Sequence, residues 1–88
     1  MSWIVRVTIS AQKALSRLNP TSIEVDQVVS LLKALAKNPF PGERVPFTIG
    51  RDLLYSDVGR FRIIFQLRVS TFEPPGDLEV VGFIAIRS

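Results

Sequence analysis

Between Leu53 and Val69 the chain gathers groups suited to holding a phosphate: Arg60, Arg62 and Arg68, with Tyr55 and Asp57 just ahead of them. A guanidinium presents a planar fork that grips phosphate bidentately and keeps its charge near neutrality. Tyr55 offers a phenol that can give or take a proton, although a pKa near 10 makes it a poor base. Asp57, and Glu43 further upstream, are carboxylates that could accept one. Such a set could hold a phosphate and steady negative charge that develops on it. Histidine and cysteine are both absent. That excludes a histidine base, a Ser-His-Asp arrangement and thiolate or imidazole metal sites, so neither metal nor cofactor is expected.

The arginines fall into a pattern. In "VGRFRIIFQLRV", Phe61, Ile63, Phe65, Leu67 and Val69 occupy alternate positions, and Arg60, Arg62, Gln66 and Arg68 fill most of the gaps. A strand sends alternate side chains to opposite faces, which predicts one apolar face and one face rich in arginine. From Arg44 onward every cation is arginine (Arg44, Arg51, Arg60, Arg62, Arg68, Arg87), whereas Lys13, Lys33 and Lys37 lie in the first half. The pattern fits an electropositive surface for nucleic acid or for an acidic protein segment. It also fits a plain solvated face, since arginine stems cover apolar surface. Alternation alone does not separate the two.

The surrounding elements set the frame. Eighty-eight residues make a single domain spanning 1–88, and 47% hydrophobic content supports a packed core. A domain this small buries only about 60–65% of its unfolded surface, so a partner would stabilise it appreciably. The formal net charge is +3, which is compatible with a polyanionic partner without requiring one. No apolar run approaches the ~18 residues of a membrane span, no signal-peptide pattern opens the chain, and the lack of cysteine fits a reducing cytoplasm.

Ser2 to Ile9 alternates as a strand, with Trp3, Val5, Val7 and Ile9 on one side. Ser10 is a plausible N-cap for a short helix ended by Asn19-Pro20. Thr21-Ser22-Ile23-Glu24 has the form of a capping box. Behind it Val25, Val28, Val29, Leu32, Leu35 and Ala36 draw an apolar stripe that Asn38-Pro39 terminates. "PFPGERVPFTIG", residues 39–50, reads as a loop with a short extended piece. Strands are then predicted near Leu53–Ser56, over the arginine segment and near Leu78–Ile86, with "STFEPPGD" as the last loop. The order is β-α-α-β-β-β, an α+β fold in which two helices cover one face of an antiparallel sheet. Arg60, Arg62, Gln66, Arg68 and, from the first strand, Arg6 should share the open face.

"DVGRFRIIFQL" resembles the Gly-x-aromatic-Arg-hydrophobic core of the RelE/ParE superfamily of bacterial toxins. "SAQKALSRL", "LAKNPFPG" and the closing "IAIRS" extend the likeness over nearly the whole chain, with "KNPFPG" leaning toward the RelE-like branch. The resemblance implies a type II toxin neutralised by a cognate antitoxin, acting as a ribosome-dependent endoribonuclease that cleaves mRNA in the A site. The alternatives are a ParE-like inhibitor of DNA gyrase or a catalytically inactive, antitoxin-binding member. It also implies that Arg62 and Arg87 steady the phosphate. From the residues themselves, Tyr55 is a further catalytic candidate, and Arg60, Arg68, Arg6 and Arg51 are the expected RNA contacts. The chain departs from the RNA-cleaving pattern in two places. Tyr55 and Asp57 stand where those relatives often carry two cations, and the sequence stops at Ser88 where they often continue into a tail with a catalytic aromatic residue.

Overall fold

The computed structural model describes residues 2–39, 43–44 and 53–86, with only the backbone described at 43–44. The described elements run β1 (Ile4–Val7), α1 (Ile9–Arg17), α2 (Ser22–Lys37), β2 (Glu43–Arg44), β3 (Leu53–Val58), β4 (Phe61–Val69) and β5 (Gly76–Ala85). This is the expected α+β order, with a two-residue strand added before β3.

The helices begin where side chains can satisfy orphan amides. Thr8, not Ser10, caps α1: its hydroxyl accepts from Ala11 N at 3.1 Å. Ile9 therefore leaves the strand for the helix and is exposed. At α2 the capping box forms as expected, Thr21 Oγ1 accepting from Glu24 N at 3.2 Å and Glu24 Oε1 accepting from Thr21 N at 3.0 Å. Asn38 caps the other end. The stripe on α2 is narrower than the sequence suggested. Val28 and Leu35 are buried and Leu31 and Leu32 pack against them, whereas Val25 and Val29 face outward.

The sheet is ordered β1-β5-β4-β3-β2. β2, β3, β4 and β5 pair antiparallel in turn, but β1 pairs parallel with β5, so the sheet is mixed. A hydrophobic alternation encodes which face a side chain takes and says nothing about strand direction, which is why the parallel edge pair went unforeseen. Phe61, Ile63 and Phe65 of β4 meet Leu78, Val80 and Phe83 of β5 in the core, and Ala11, Val28 and Leu35 close it from the helix side. Val80 and Phe83 are three residues apart, yet both point inward. An irregularity in the ladder reconciles them: Ile64 pairs with Gly82 but Phe65 with Val80, leaving Val81 as an extra residue. Among the described residues no helix is long and apolar enough to cross a membrane.

Candidate phosphate site on the open sheet face

β3 and β4 are joined by a two-residue turn, Gly59-Arg60, because Val58 pairs with Phe61. Gly59 has φ +57°, as the first position of a type II′ hairpin turn requires and only glycine accepts readily. The turn fixes the register, and the register places Asp57 opposite Arg62 and Tyr55 opposite Ile64. Tyr55 and Asp57 are two apart on β3, so they share the face of Arg62, away from the helices.

Three side chains meet there. Arg62 Nε donates to Asp57 Oδ1 at 2.8 Å and Nη2 donates to Oδ2 at 3.1 Å. The guanidinium carbon lies 4.1 Å from the centroid of the Tyr55 ring, within the range of a cation–π contact. Both ends of the ion pair remain about one-third exposed, 33% for the Arg62 side chain and 37% for that of Asp57. The hydrogen bonds from Arg62 hold the Asp57 carboxyl below its usual pKa. A carboxylate so held is a weaker proton acceptor, which counts against Asp57 as a general base.

Two more pairs extend across the same face. Glu79 of β5 accepts from Gln66 Nε2 at 2.6 Å and lies 3.7 Å from Arg68 Nη2. Asp77, two residues earlier, accepts from Arg6 Nε at 3.0 Å. Arg6, Arg62 and Arg68 thus each stand beside a carboxylate, with Ile4, Ile64 and Ile84 among them. Among the described side chains this face is close to neutral, not electropositive. Asp77 and Glu79 were missed as members of the site. Their "D-L-E" spacing on a strand predicts a shared face, but which strand lies beside them is set by topology.

Arg60 requires a correction. The alternation of β4 assigned it to the open face, but it belongs to the turn, where strand parity does not hold. Its guanidinium reaches back to the helices, donating to Glu24 Oε2 at 2.5 Å, to Glu24 Oε1 at 3.1 Å and to the carbonyls of Leu18 and Asn19 at 2.9 and 3.3 Å. It also stacks on Phe61 with 4.4 Å to the ring centroid. The hydrogen bonds from Arg60, with those of Thr21, lower the Glu24 pKa to about 2. Arg60 therefore fastens the β3–β4 turn to the α1–α2 connection instead of contributing to a phosphate surface. Arg51 and Arg87 lie outside the described residues. Glu43, a candidate base, is described only in its backbone, which pairs with Tyr55. Among the described residues no cluster of carboxylates could hold a metal ion. Comparisons with protein-family models, curated proteins and solved structures find no match to this chain.

Proposed function

We propose that this protein is a RelE/ParE-like toxin whose open sheet face engages the RNA backbone, cleaving mRNA on the ribosome. The observation that carries the reading is the position of Arg62: it stands on the open face of β4, gripped by Asp57 and stacked on Tyr55. The resemblance marks this same residue as the motif arginine. A guanidinium with its plane already set loses little freedom on taking a phosphate, and a fixed cation at a developing negative charge is what such chemistry needs most. Tyr55, in contact with that guanidinium, is the proton-transfer candidate nearest the proposed phosphate. A base comes from elsewhere, on the ribosome or the RNA.

The neutral face lends support to a second reading, in which the toxin acts on DNA gyrase through protein contacts and performs no cleavage. Paired charges interspersed with isoleucines suit a protein surface better than a polyanion. The test is to induce the protein alone in a bacterium, then map RNA 5′ ends on ribosomes and follow plasmid supercoiling in the same cells. New ends clustered in A-site codons, with supercoiling unchanged, are expected. Altered supercoiling without new ends would replace the first reading with the second, and unimpaired growth at high soluble expression would overturn both.

A further inference from the structure

We infer that Asp57 is an internal competitor for the phosphate seat of Arg62, so that RNA binds this face by displacing it. The inference rests on the RNA reading above and adds to it a specific brake. A carboxylate and a phosphate present the same feature to a guanidinium: two oxygens in one plane, matched to two parallel N–H groups. Asp57 uses that match at the Nε–Nη2 edge, with both bonds at ordinary lengths of 2.8 and 3.1 Å. An incoming phosphate can take this edge only by replacing the carboxylate.

The pair is built for exchange. Asp57 lies one residue before the end of β3 and is exposed to solvent. Exposed ion pairs hold weakly, typically by a factor of a few in an equilibrium constant. The pair between Arg60 and Glu24 is built in the opposite way: its guanidinium is also bound by two backbone carbonyls, and its Glu24 side chain is only 19% exposed. The two arginine side chains are comparably accessible, 41% exposed for Arg60 and 33% for Arg62; the carboxylates differ, 19% for Glu24 against 37% for Asp57, so Asp57 is the one that can swing out to solvent. The displaced Asp57 would also stand as a negative charge beside the phosphate, adding repulsion to competition.

The test uses the full chain and a short fluorescently labelled single-stranded RNA, with binding followed by anisotropy over a range of salt. Asp57→Asn keeps the shape of the side chain and removes the anion. It should tighten binding by about tenfold, competition and repulsion combined. The slope of log K against log salt should stay close to that of the parent, because the Arg62–phosphate contact is made in both once the carboxylate is displaced. Asp57→Asn combined with Arg62→Ala should lose that gain. Asp77→Asn removes the same unit charge from the same face beside Arg6, and should yield a smaller gain that survives Arg62→Ala. Thermal melts confirm that each variant is folded. Unchanged or weaker binding by Asp57→Asn, or equal gains from Asp57→Asn and Asp77→Asn, would overturn the inference while leaving the RNA reading intact. Failure of every variant to bind the RNA would bring down both.

Discussion

Gly76 is a residue whose replacement should damage this fold severely, and the reason is geometric. It opens β5 with φ +130°, a conformation that L-residues rarely adopt. A Cβ built there would lie 2.0 Å from Arg68 O, 2.8 Å from Ser70 N and 3.0 Å from Arg68 C. All three are backbone atoms and cannot swing aside as a side-chain tip would. Relief requires pulling the start of β5 away from the end of β4, where Gly76 pairs with Val69. Asp77, the partner of Arg6, would move with it. A residue forced into a sparse backbone region costs about 1–3 kcal/mol, and each ladder bond lost adds about 1 kcal/mol. With one bond lost and a mid-range strain, Gly76→Ala should therefore cost about 3 kcal/mol. A domain of this size has a total stability of about 4–13 kcal/mol, so the loss is a quarter of it or more. At no less than about 4 °C per kcal/mol, the melting temperature should fall by ~12 °C or more. Gly82 is the matched control, since a Cβ there meets nothing within 4 Å. Gly82→Ala should be neutral or stabilise by up to about 1 kcal/mol through the unfolded chain. Paired urea and thermal melts decide the matter. A Gly76→Ala protein within about 1 kcal/mol of the parent, or less affected than Gly82→Ala, would refute the reasoning.

Three further outcomes are expected. Thr21→Ala removes the hydroxyl half of the capping box and should cost about 1 kcal/mol, read as a lower urea midpoint with unchanged slope. Glu24 is deprotonated more readily in the folded chain, its pKa lowered from 4.5 to about 2; its contribution is fully present above pH 4.5 and is lost as pH falls toward 2. Glu24→Gln should accordingly flatten the acid limb of a stability-versus-pH profile while leaving the neutral region's shape unchanged. Arg60→Ala and Arg62→Ala should separate cleanly: the first lowers the melting temperature with the salt slope of RNA binding intact, and the second makes that slope shallower by about 0.7 with little change in melting. Equal effects on both readouts would mean that the turn and the open face are one functional unit.

What the sequence revealed depended on whether the physics involved was local. Capping at Thr21 and the inward set of Phe61, Ile63 and Phe65 follow from spacing within one segment, and the structure bears them out. The placing of Arg62 with Tyr55 and Asp57 needed one more step, the register across a two-residue turn. That step was legible in Gly59, but the sequence suggests a turn through Asp57-Val58-Gly59, whereas it lies at Gly59-Arg60. Arg60 shows the cost of that shift: the parity rule was carried one residue past the strand, and a residue facing the helices was assigned to the open face. The partners of Arg6 and Arg68 were not legible at all. Asp77 and Glu79 are far from Arg6 in sequence, and β1 reaches β5 only through a parallel pairing that no pattern announces. The inward turn of both Val80 and Phe83 likewise depends on the extra residue Val81, which a count of two cannot supply.

The distribution of charge carries the argument one step further. The chain has eleven cations and eight anions. On the open face Arg6, Arg62 and Arg68 are matched by Asp77, Asp57 and Glu79, and Arg60 is matched by Glu24. Lys13, Arg17, Lys33 and Lys37 belong to the helices, where only Asp26 joins Glu24 on the acidic side. Among the described residues the positive surplus therefore lies on the helix layer, opposite the candidate site. Long-range attraction follows the surplus charge, whereas a bidentate contact follows geometry. A polyanion at low salt would meet the helix layer first, and loose binding there would reveal nothing about the open face. Selectivity for Arg62 must then come from the shape of its fork and from the exchange with Asp57, at ionic strengths that screen the lysines away.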